Sequence, residues 1–405
     1  MVRIEQLNSK AEGVAGNMKI LYALPGEEVE SKRFGKIRRP TNILKPSKHR
    51  VEPFCRHFGT CGGCALQHLE YAEQVKWKAS KLSTLFERPV EVIPSPKTTH
   101  YRNRMDYVMH RNSIGLRERG SWKFVVDIEE CPIFAQEHIL KKHSSFLHSL
   151  PSFDLVKKEG VFKYVVIRGS GDDFAMIFCC TSKGREYIHA ILEALTDVPN
   201  IALTFNDGVG DISMGEELEV IKGNEYYIEH IGEYVFKVPL NGFVQPNPFQ
   251  AKLLYDHIKS LVDSDEVVDL FCGMGSIGIY CSPKKLFGIE VVPQAVNYAQ
   301  ENARAYGVNA HFECVDLYTS PTLPGEDPLV IVDPPREGLG KRTIKLLCEQ
   351  KPRKIIYVSC NPHSCKQDLE KMAEFYTLRS IKGFDMFPHT PHVEVVVELT
   401  SKQGI

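Results

Sequence analysis

Residues 266–275 read EVVDLFCGMG, so that an apolar strand runs directly into a glycine turn. Glycines at a strand-to-helix turn let the backbone approach a bound ligand closely. Further apolar runs follow at 285–291, 310–316, 328–333 and 354–359, with helical stretches between them at 294–306 and 341–349. This alternation predicts an α/β domain whose parallel sheet is covered on both faces. The last run, 393–400, follows without a helix, which favours an antiparallel final strand.

Acidic residues stand at the ends of three successive predicted strands. Asp269 lies in the first strand, Glu290 ends the second and Asp316 ends the third. A carboxylate at the end of the second strand can accept hydrogen bonds from both ribose hydroxyls. Three carboxylates suit an adenosine group better than a pyrophosphate. The glycine turn alone would indicate only a tight turn, but together these residues predict a nucleoside cofactor held by Asp269, Gly273, Glu290 and Asp316.

The next two strands end in residues that can perform chemistry. Asp333-Pro334-Pro335-Arg336 follows one strand and Ser359-Cys360-Asn361-Pro362 follows the next. Asp333 can accept a hydrogen bond from a base, or it could simply cap the next turn. A cysteine at an exposed strand end is a candidate nucleophile. Addition of its thiolate to carbon 6 of a uracil would make carbon 5 nucleophilic, and Glu394 could then remove the carbon 5 proton.

The remaining cysteines divide into two groups. Cys272, Cys281, Cys314 and Cys348 are predicted to be core residues, and Cys365 is predicted to lie unused in a helix. The other group consists of four cysteines in a C-x5-C-G-G-C pattern with a distant Cys-Pro, namely Cys55, Cys61, Cys64 and Cys131. Four thiolates suit either an iron–sulphur cluster or zinc. The spacing predicts a metal site without choosing between them.

The N-terminal half has a different organisation. Short strands and glycine turns predict a small OB-like β-barrel over residues 1–47. A central α/β domain is expected over 48–237, with a helix at 71–86, a hairpin within 101–126, strands at 161–168 and 174–180 and a helix near 186–195. The strand-and-helix domain with the nucleoside-binding and cysteine residues would then span residues 238–405. Between Ser31 and Val51 there are eight Lys or Arg and no acidic residue, which is either a solvated charge run or a phosphate-binding stripe.

Composition limits the class of protein. With 43% hydrophobic and 25% charged residues, the chain of 405 residues has the composition of a globular protein of two or three domains. Its net charge of −1 argues against nucleic-acid binding by bulk charge. The first ten residues lack the apolar core of a signal peptide, so we expect a cytoplasmic protein without membrane contact. The twelve cysteines are therefore not expected to form disulfides.

Taken together, these residues resemble the RNA (uracil-5-)-methyltransferase family that carries a four-iron cluster. The likeness covers nearly the whole chain. Its motifs are Leu24-Pro25-Gly26-Glu27, typical of the family's TRAM barrel, the Cys61–His68 segment CGGCALQH, and Tyr101-Arg102-Asn103-Arg104. Further matches are Asp333–Arg336, Ser359–Pro362 and Asp385-Met386-Phe387-Pro388-His389-Thr390. The barrel is shorter than the family's usual one.

The resemblance implies a C-terminal Rossmann-like class I methyltransferase domain, S-adenosylmethionine as methyl donor and a [4Fe-4S] cluster on the four cysteines. It implies that Gln245 contacts the donor's methionine part, that Asp333 holds the uracil, that Cys360 is the nucleophile and that Glu394 is the base. RNA is the implied partner, with no obligate protein partner. The target is expected to be uridine 54 in the T-loop of tRNA, or alternatively a uridine of large-subunit rRNA.

Two rival interpretations use the same residues differently. A methyltransferase acting on an adenine amino group would also have an Asp-Pro-Pro turn, but it normally places an aromatic residue where Arg336 stands, and it leaves Cys360 without a role. A non-catalytic iron–sulphur RNA-binding protein would need neither Cys360 nor Glu394. Both rivals therefore leave residues unexplained that the uracil hypothesis uses.

Overall fold

The computed structural model describes residues 1–154, 156–215, 217–325 and 328–402. The chain forms two compact units. The first unit comprises Met1–Trp77, Thr98–Glu225 and Phe387–Pro391, and the second comprises Lys78–Lys97, Tyr226–Met386 and His392–Ile405. Of the predicted C-terminal domain, residues 326–327 and 403–405 lie outside the described part.

The strands of the N-terminal half are β1 (Val2–Arg3), β2 (Gln6–Leu7), β3 (Gly13–Ala15), β4 (Met18–Ile20), β5 (Glu28–Phe34), β6 (Ile37–Lys45), β7 (Glu91–Ile93), β8 (Arg104–His110), β9 (Ser113–Arg117), β10 (Val125–Asp127), β11 (Phe162–Arg168), β12 (Ala175–Cys180) and β13 (Asn200–Phe205). Those that follow are β14 (Leu218–Lys222), β15 (Tyr226–Ile231), β16 (Tyr234–Pro239), β17 (Glu266–Leu270), β18 (Lys285–Glu290), β19 (Ala310–Cys314), β20 (Leu329–Val332), β21 (Lys354–Ser359), β22 (Tyr376–Phe384) and β23 (Glu394–Ser401).

The helices are α1 (Tyr71–Phe86), α2 (Glu137–Lys142), α3 (Ser144–Ser149), α4 (Ile188–Ala194), α5 (Pro248–Leu261), α6 (Ser276–Cys281), α7 (Pro293–Ala305), α8 (Gly340–Gln350) and α9 (Pro362–Met372). A 3₁₀ helix at Ser182–Tyr187 precedes α4, so the helix predicted near 186–195 is shorter than expected. Within the described residues, no helix combines the length and the apolar character needed to cross a bilayer.

The N-terminal residues of the first unit form two small sheets, ordered β1-β5-β6 and β2-β3-β4. The short strands predicted here are therefore present. The two sheets enclose a small core of Ile4, Ala15, Ile20, Ala23 and Val29. The backbone N–H of Leu21, just after β4, donates to the carbonyl of Arg38 in β6 at 2.9 Å and connects them. A core of this size is sufficient to order a module of some 45 residues only with support from its neighbours.

The remainder of the first unit is built on a seven-stranded sheet of order β10-β9-β8-β11-β12-β13-β14. The predicted hairpin is confirmed as β8–β9, with Arg111 and Asn112 at positive φ in its turn. The two strands predicted at 161–168 and 174–180 are confirmed as β11 and β12, which pair antiparallel. Every residue of these two strands is buried, which explains why both read as continuous apolar runs.

The second unit is built on an eight-stranded sheet of order β19-β18-β17-β20-β21-β23-β22-β7. Strands β17 to β21 pair in parallel, as predicted, and β23 pairs antiparallel with β21, also as predicted. Two strands were missed. The strand β22 alternates buried and exposed residues too weakly to be recognised, and β7 has only three residues.

The domain boundaries differ from the predicted ones. The hairpin β15–β16, assigned to the central domain by its sequence, lies in the second unit, whereas no boundary separates residues 1–47 from those that follow. The hairpin belongs to the second unit because its Tyr234 ring packs on Tyr280 and Tyr306 with centroids 4.6 and 4.8 Å apart. In addition, Lys237 of β16 exchanges backbone hydrogen bonds with the buried Asn302 side chain of α7.

The cysteine predictions hold with one exception. Cys272, Cys281 and Cys348 are buried, and Cys365 is buried in α9. Cys314 is exposed, so its assignment to the core is wrong. Its strand, β19, is the edge of the eight-stranded sheet and buries few of its side chains. An apolar sequence context does not reveal whether a strand will be central or at an edge.

An ion pair with no exposed surface stabilises the second unit. The Lys78 ammonium in α1 lies 2.5 Å from the Asp385 carboxylate, and both side chains are fully buried.

We expect Asp385→Ala to lower the free energy of unfolding by about 3–5 kcal/mol, because the buried ammonium then loses the carboxylate that compensates its desolvation. Urea titration followed by circular dichroism measures this. As a control, Asp265→Ala removes the partner of the exposed Lys284 and should cost about 1 kcal/mol or less. Equal effects would contradict the prediction.

Candidate active site

One cavity in the second unit brings the predicted site residues together. Its walls come from the strand ends of the eight-stranded sheet and from the segment before α5. The residues predicted from sequence that line it are Gln245, Asp269, Gly273, Glu290, Asp316, Asp333, Cys360 and Glu394. Every cofactor and catalytic residue predicted from sequence therefore faces the same space.

The turn after β17 fixes the carboxylate of Glu290. The backbone N–H of Gly273 donates to Glu290 Oε2 at 3.0 Å, and Gly273 adopts a φ of +55° that a glycine reaches without strain. The N–H groups of Val291 and Val292 donate to Oε1 at 2.8 and 2.9 Å. Three backbone donors thus orient one carboxylate toward the cavity before any ligand is present.

Asp269 is buried at the closed end of the cavity. Its Oδ2 accepts a hydrogen bond from the N–H of Gly278 in α6 at 3.0 Å. Its Oδ1 has no hydrogen-bond partner among the described residues. The pKa of this carboxyl is raised to about 8, chiefly by burial and in addition by the nearby Asp333 and Glu290. An unsatisfied buried oxygen is costly, so it marks a place where a ligand donor would be stabilising.

Asp333 and Gln245 meet at the middle of the cavity. The Gln245 side-chain amide donates to Asp333 Oδ2 at 3.4 Å, while burial raises the pKa of Asp333 to about 7. Gln245 is held there because Asn247, two residues later, caps α5 by accepting from the N–H of Gln250 at 3.1 Å. Pro248 at the first position of α5 reinforces this start.

Cys360 follows β21 in a tightly bonded turn. Asn361 accepts from the N–H of His363 and caps α9, and its side-chain amide donates to the carbonyl of Arg336 at 2.9 Å. This bond connects the cysteine turn with the Asp333–Arg336 turn. The pKa of the Cys360 thiol is raised to about 12, chiefly by burial and in addition by the carboxyls of Glu394 and Asp333, while Arg336 opposes them.

Glu394 opens β23 and is buried. Its pKa is raised to about 8, chiefly by burial and in addition by Asp333, while Arg336 opposes the increase. Its Oε2 has no hydrogen-bond partner in the described part of the chain. A carboxyl of this pKa can take up a proton near neutral pH, as a general base must.

Sequence analysis missed several residues of the cavity wall. Tyr255 of α5 lines it and shares a hydrogen bond of 2.9 Å with Ser276. Phe243 lines its mouth and remains 63% exposed, which is unusual for a large aromatic ring. Tyr255 could not have been recognised, because it occupies an ordinary buried position of an amphipathic helix. Phe243 carried a signal, since it lies two residues before Gln245 in the motif already identified.

The four predicted metal ligands also lie together, in the first unit. Cys55, Cys61, Cys64 and Cys131 line one pocket. Each of three sulphurs accepts a hydrogen bond: Cys61 from the N–H of Gly63 at 3.3 Å, Cys64 from the Gln67 side chain and Cys131 from the N–H of Ile133. No group of three or more His, Cys, Asp or Glu in the described ranges is arranged to hold a metal ion.

Comparison with known proteins identifies the family. Residues 327–402 match the tRNA (uracil-5-)-methyltransferase family, and residues 249–349 match the methyltransferase small domain. A tRNA (uracil(54)-C(5))-methyltransferase of Pyrococcus horikoshii is 35% identical over 408 residues, covering 98% of both chains. The chain belongs to the tRNA (uracil-5-)-methyltransferase family.

Two further relatives refine this assignment. The crystal structure of the Pyrococcus abyssi tRNA (uracil-54, C5)-methyltransferase with S-adenosyl-L-homocysteine matches with a TM-score of 0.85 at 30% identity, over 98% of this chain and 99% of that one. A 23S rRNA (uracil(747)-C(5))-methyltransferase of P. horikoshii is 32% identical over 99% of both chains. Membership of the tRNA (uracil-5-)-methyltransferase family confirms the predicted α/β methyltransferase fold.

The electrostatics of the cavity predict that the Cys360 thiol is alkylated slowly. Alkylation by iodoacetamide requires a thiolate, so we expect Cys360 to react much more slowly at neutral pH than the exposed Cys314. In buffer above the Glu394 pKa of about 8, Glu394→Gln removes a charge that raises the pKa of Cys360 and should accelerate its alkylation, tenfold for each unit of lowered pKa. Mass spectrometry of the digested protein measures both rates. Glu313→Gln, adjacent to Cys314 on the exposed edge strand, serves as the control and should leave Cys360 unchanged. Rapid alkylation of Cys360 in the unmodified chain would contradict the prediction.

Proposed function

We propose that this protein uses S-adenosylmethionine to methylate carbon 5 of uridine 54 in tRNA, with Cys360 as covalent nucleophile. The observation that carries the proposal is that Cys360, Glu394 and Asp333 line the same cavity as the Glu290 carboxylate. A nucleophile, a base and a nucleoside-binding carboxylate in one cavity are what uracil methylation requires. An adenine amino-group methyltransferase would use neither Cys360 nor Glu394.

The cavity residues suit the methyl donor. Glu290, held by three backbone N–H groups, is placed to accept hydrogen bonds from ribose hydroxyls, and Asp316 lines the same wall. Asp269 offers an oxygen with no partner in the described residues. Several buried carboxyls also favour a cation, and the donor's sulphonium carries a positive charge. When bound, S-adenosylmethionine supplies an electrophilic methyl group.

The chain's own residues perform the other steps. The Cys360 thiol releases its proton to solvent, and its sulphur forms a bond to carbon 6 of the uracil. The electrons of the carbon 5–carbon 6 double bond move onto the carbon 4 oxygen, and this enolate makes carbon 5 nucleophilic. Asp333, beside Gln245, is placed to accept a hydrogen bond from the base. After carbon 5 has gained the methyl group, Glu394 removes the proton that carbon 5 still carries. The electrons of that C–H bond re-form the carbon 5–carbon 6 double bond and expel the Cys360 thiolate, so that the protein ends unmodified.

The choice of tRNA rests on the relatives. Proteins named as tRNA uracil-54 methyltransferases reach 35% identity over nearly the whole chain, and the 23S rRNA enzyme reaches 32%. These values are close, so the rRNA uridine is the second candidate. The N-terminal module, with its TRAM-like sequence motif and exposed Lys and Arg, contributes RNA binding in either case.

Methyl transfer to defined RNAs tests the substrate. The full chain, purified without oxygen, is incubated with methyl-labelled S-adenosylmethionine and either a tRNA transcript or a 23S rRNA hairpin. Each is compared with a copy in which the candidate uridine is replaced by cytidine. We expect label on the tRNA alone, lost on replacement of uridine 54. Label on the hairpin alone would overturn the tRNA assignment, and label on neither would overturn the proposed activity.

Two substitutions test the covalent route in the same assay. Cys360→Ala should abolish turnover, because no thiolate is then present to activate carbon 5. Glu394→Gln should stall the reaction after methyl transfer and leave RNA attached to protein, visible as a slowly migrating band on a denaturing gel. Cys314→Ala, at an exposed cysteine, should behave as the unmodified chain. Methylation by the Cys360→Ala variant would rule out the covalent scheme.

We also propose that Cys55, Cys61, Cys64 and Cys131 hold a [4Fe-4S] cluster, because their pocket suits it. Burial raises the pKa of Cys64 to about 12 and raises those of Cys61 and Cys131, so these thiols require a cationic group to become thiolates. Hydrogen bonds donated to three sulphurs favour thiolates. In a cluster each cysteine binds a different iron. The cluster takes part in no step above.

The metal content tests this second proposal. The full chain purified without oxygen should contain about four irons and absorb visible light, and Cys131→Ser should lose most of both. Affinity for S-adenosylhomocysteine, measured by calorimetry, should be unchanged, since the cofactor cavity is formed by residues of the second unit. Cys314→Ser should keep its iron. Stoichiometric zinc in place of iron, or full iron retention in Cys131→Ser, would disprove the cluster.

A further inference from the structure

Three large aromatic side chains of the first unit lie in water. Phe34, Trp122 and Phe124 are 50%, 59% and 60% exposed. A single exposed apolar residue needs no explanation. Aromatic rings bury more apolar area than any other side chain, so leaving three of them in solvent on neighbouring segments is costly. Exposed rings of this kind therefore indicate a surface that contacts another molecule.

The three rings belong to one surface. Phe34 ends β5 and is the cross-strand partner of Ile37, the first residue of β6. The Ile37 side chain packs directly on Gly120, since a Cβ added to this glycine would meet Ile37 Cγ2 at 2.5 Å. Trp122 and Phe124 follow Gly120 by two and four residues. The loop that carries them therefore lies against the tip of the β5–β6 hairpin.

The loop is held in shape by its own hydrogen bonds. The N–H of Glu118 donates to the carbonyl of Phe124 at 2.9 Å, and Ser121 Oγ accepts from the N–H of Lys123 at 3.1 Å. Arg117 donates to the carbonyl of Trp122 and also binds both carboxylate oxygens of Asp211 at 2.6 and 2.8 Å. The exposure of the rings is thus imposed by a fixed loop, which reduces the entropy lost on binding.

Uncompensated positive charge surrounds the rings. Lys32, Arg33 and Lys36 are exposed on the same hairpin, and none of them forms an ion pair with a carboxylate in the described residues. By contrast, Arg39 of β6 is already paired with Glu118 at 3.8 Å. Lys123 lies over the Trp122 ring, with its Nζ 5.3 Å from the centroid. The surface therefore combines flat apolar faces with free cations.

We propose that Phe34, Trp122 and Phe124, with Lys32, Lys36 and Lys123, form a platform that binds unpaired nucleotides of the RNA substrate. Unpaired bases stack on aromatic rings, and their phosphates lie against Lys and Arg. An acidic protein partner would use only the cations of this surface, and an apolar one would use only its aromatic rings. The inference rests on the proposed RNA methylation and adds to it which aromatic side chains outside the catalytic cavity stack on the RNA.

Binding of a short fluorescent oligouridylate, followed by anisotropy over a range of salt concentrations, tests the platform without any methyl transfer. The Trp122→Ala/Phe124→Ala variant of the full chain should bind at least about fivefold more weakly, the effect of one lost stacked base. Its dependence on salt should stay unchanged, since no charge is removed. Lys32→Ala/Lys36→Ala should instead reduce the slope of log affinity against log salt by about 0.7 for each phosphate contact.

Three controls separate this result from misfolding. Trp122→Phe keeps a stacking ring and should retain most of the affinity. Val156→Ala changes another exposed apolar residue of the first unit, 49% exposed, and should have no effect. Circular dichroism should be the same for all variants. In the methylation assay, the Trp122→Ala/Phe124→Ala variant should raise the KM for tRNA and leave kcat unchanged, since no ring of the platform lines the catalytic cavity.

The outcomes distinguish this proposal from the proposed function. Unchanged oligouridylate binding by the Trp122→Ala/Phe124→Ala variant would overturn the platform even if tRNA is methylated. A loss of self-association in sedimentation, with RNA affinity intact, would overturn it as well and assign the rings to contact between copies of the chain. If the unmodified chain binds oligouridylate through these rings but methylates neither RNA, the platform stands and the proposed substrate fails.

Discussion

The parallel pairing of β17, β18, β20 and β21 is the constraint on which the site depends. Parallel strands direct their carboxyl ends to one edge of a sheet, so residues far apart in sequence meet there. Asp269, Glu290, Asp333 and Cys360 each lie at or just after such an end and line one cavity. Glu394 reaches the same cavity because β23 runs antiparallel to β21 and therefore begins where β21 ends. Strand direction alone thus accounts for the assembly of these residues.

A consequence of this assembly is that negative charge accumulates where there is little water. Burial raises the pKa of Asp269, Asp333 and Glu394, and the Asp333 carboxylate contributes to the raised pKa of Asp269, Glu394 and Cys360. Arg336 is the cation that opposes this effect on Cys360 and Glu394. Burial and these carboxyls therefore favour the protonated, unreactive forms of these groups. A bound cation would lower these pKa values, so the arrangement couples activation of the thiol to occupation of the cavity.

Residues directly after apolar strands could be predicted from the sequence, because a strand's end fixes where the next side chain lies. This was enough for Gly273, Glu290, Asp316, Asp333 and Cys360, whereas Gln245 was implied only by the family resemblance and Glu394 stands at the start of a strand. Prediction from the sequence failed where the burial of a side chain depends on residues that are distant in sequence. Lys78 occupies the buried face of α1 together with Gln74, and two polar residues on that face contradict the apolar period expected of it. The prediction that Cys314 is a core residue was wrong for the opposite reason, because its apolar neighbours belong to an edge strand.

The segment Phe387–Pro391 shows how the chain links its two parts. It belongs to the first unit, where the carbonyl of His389 accepts hydrogen bonds from the N–H groups of Ala65 and Leu66 at 2.8 and 3.0 Å, directly after Cys64. The His389 N–H donates to Gln74 of α1 at 3.0 Å. Three residues beyond Pro391, the chain begins β23 with Glu394. The N–H groups of Ala65 and Leu66 and the side chain of Gln74 therefore fix the backbone of residues 387–391 within the first unit.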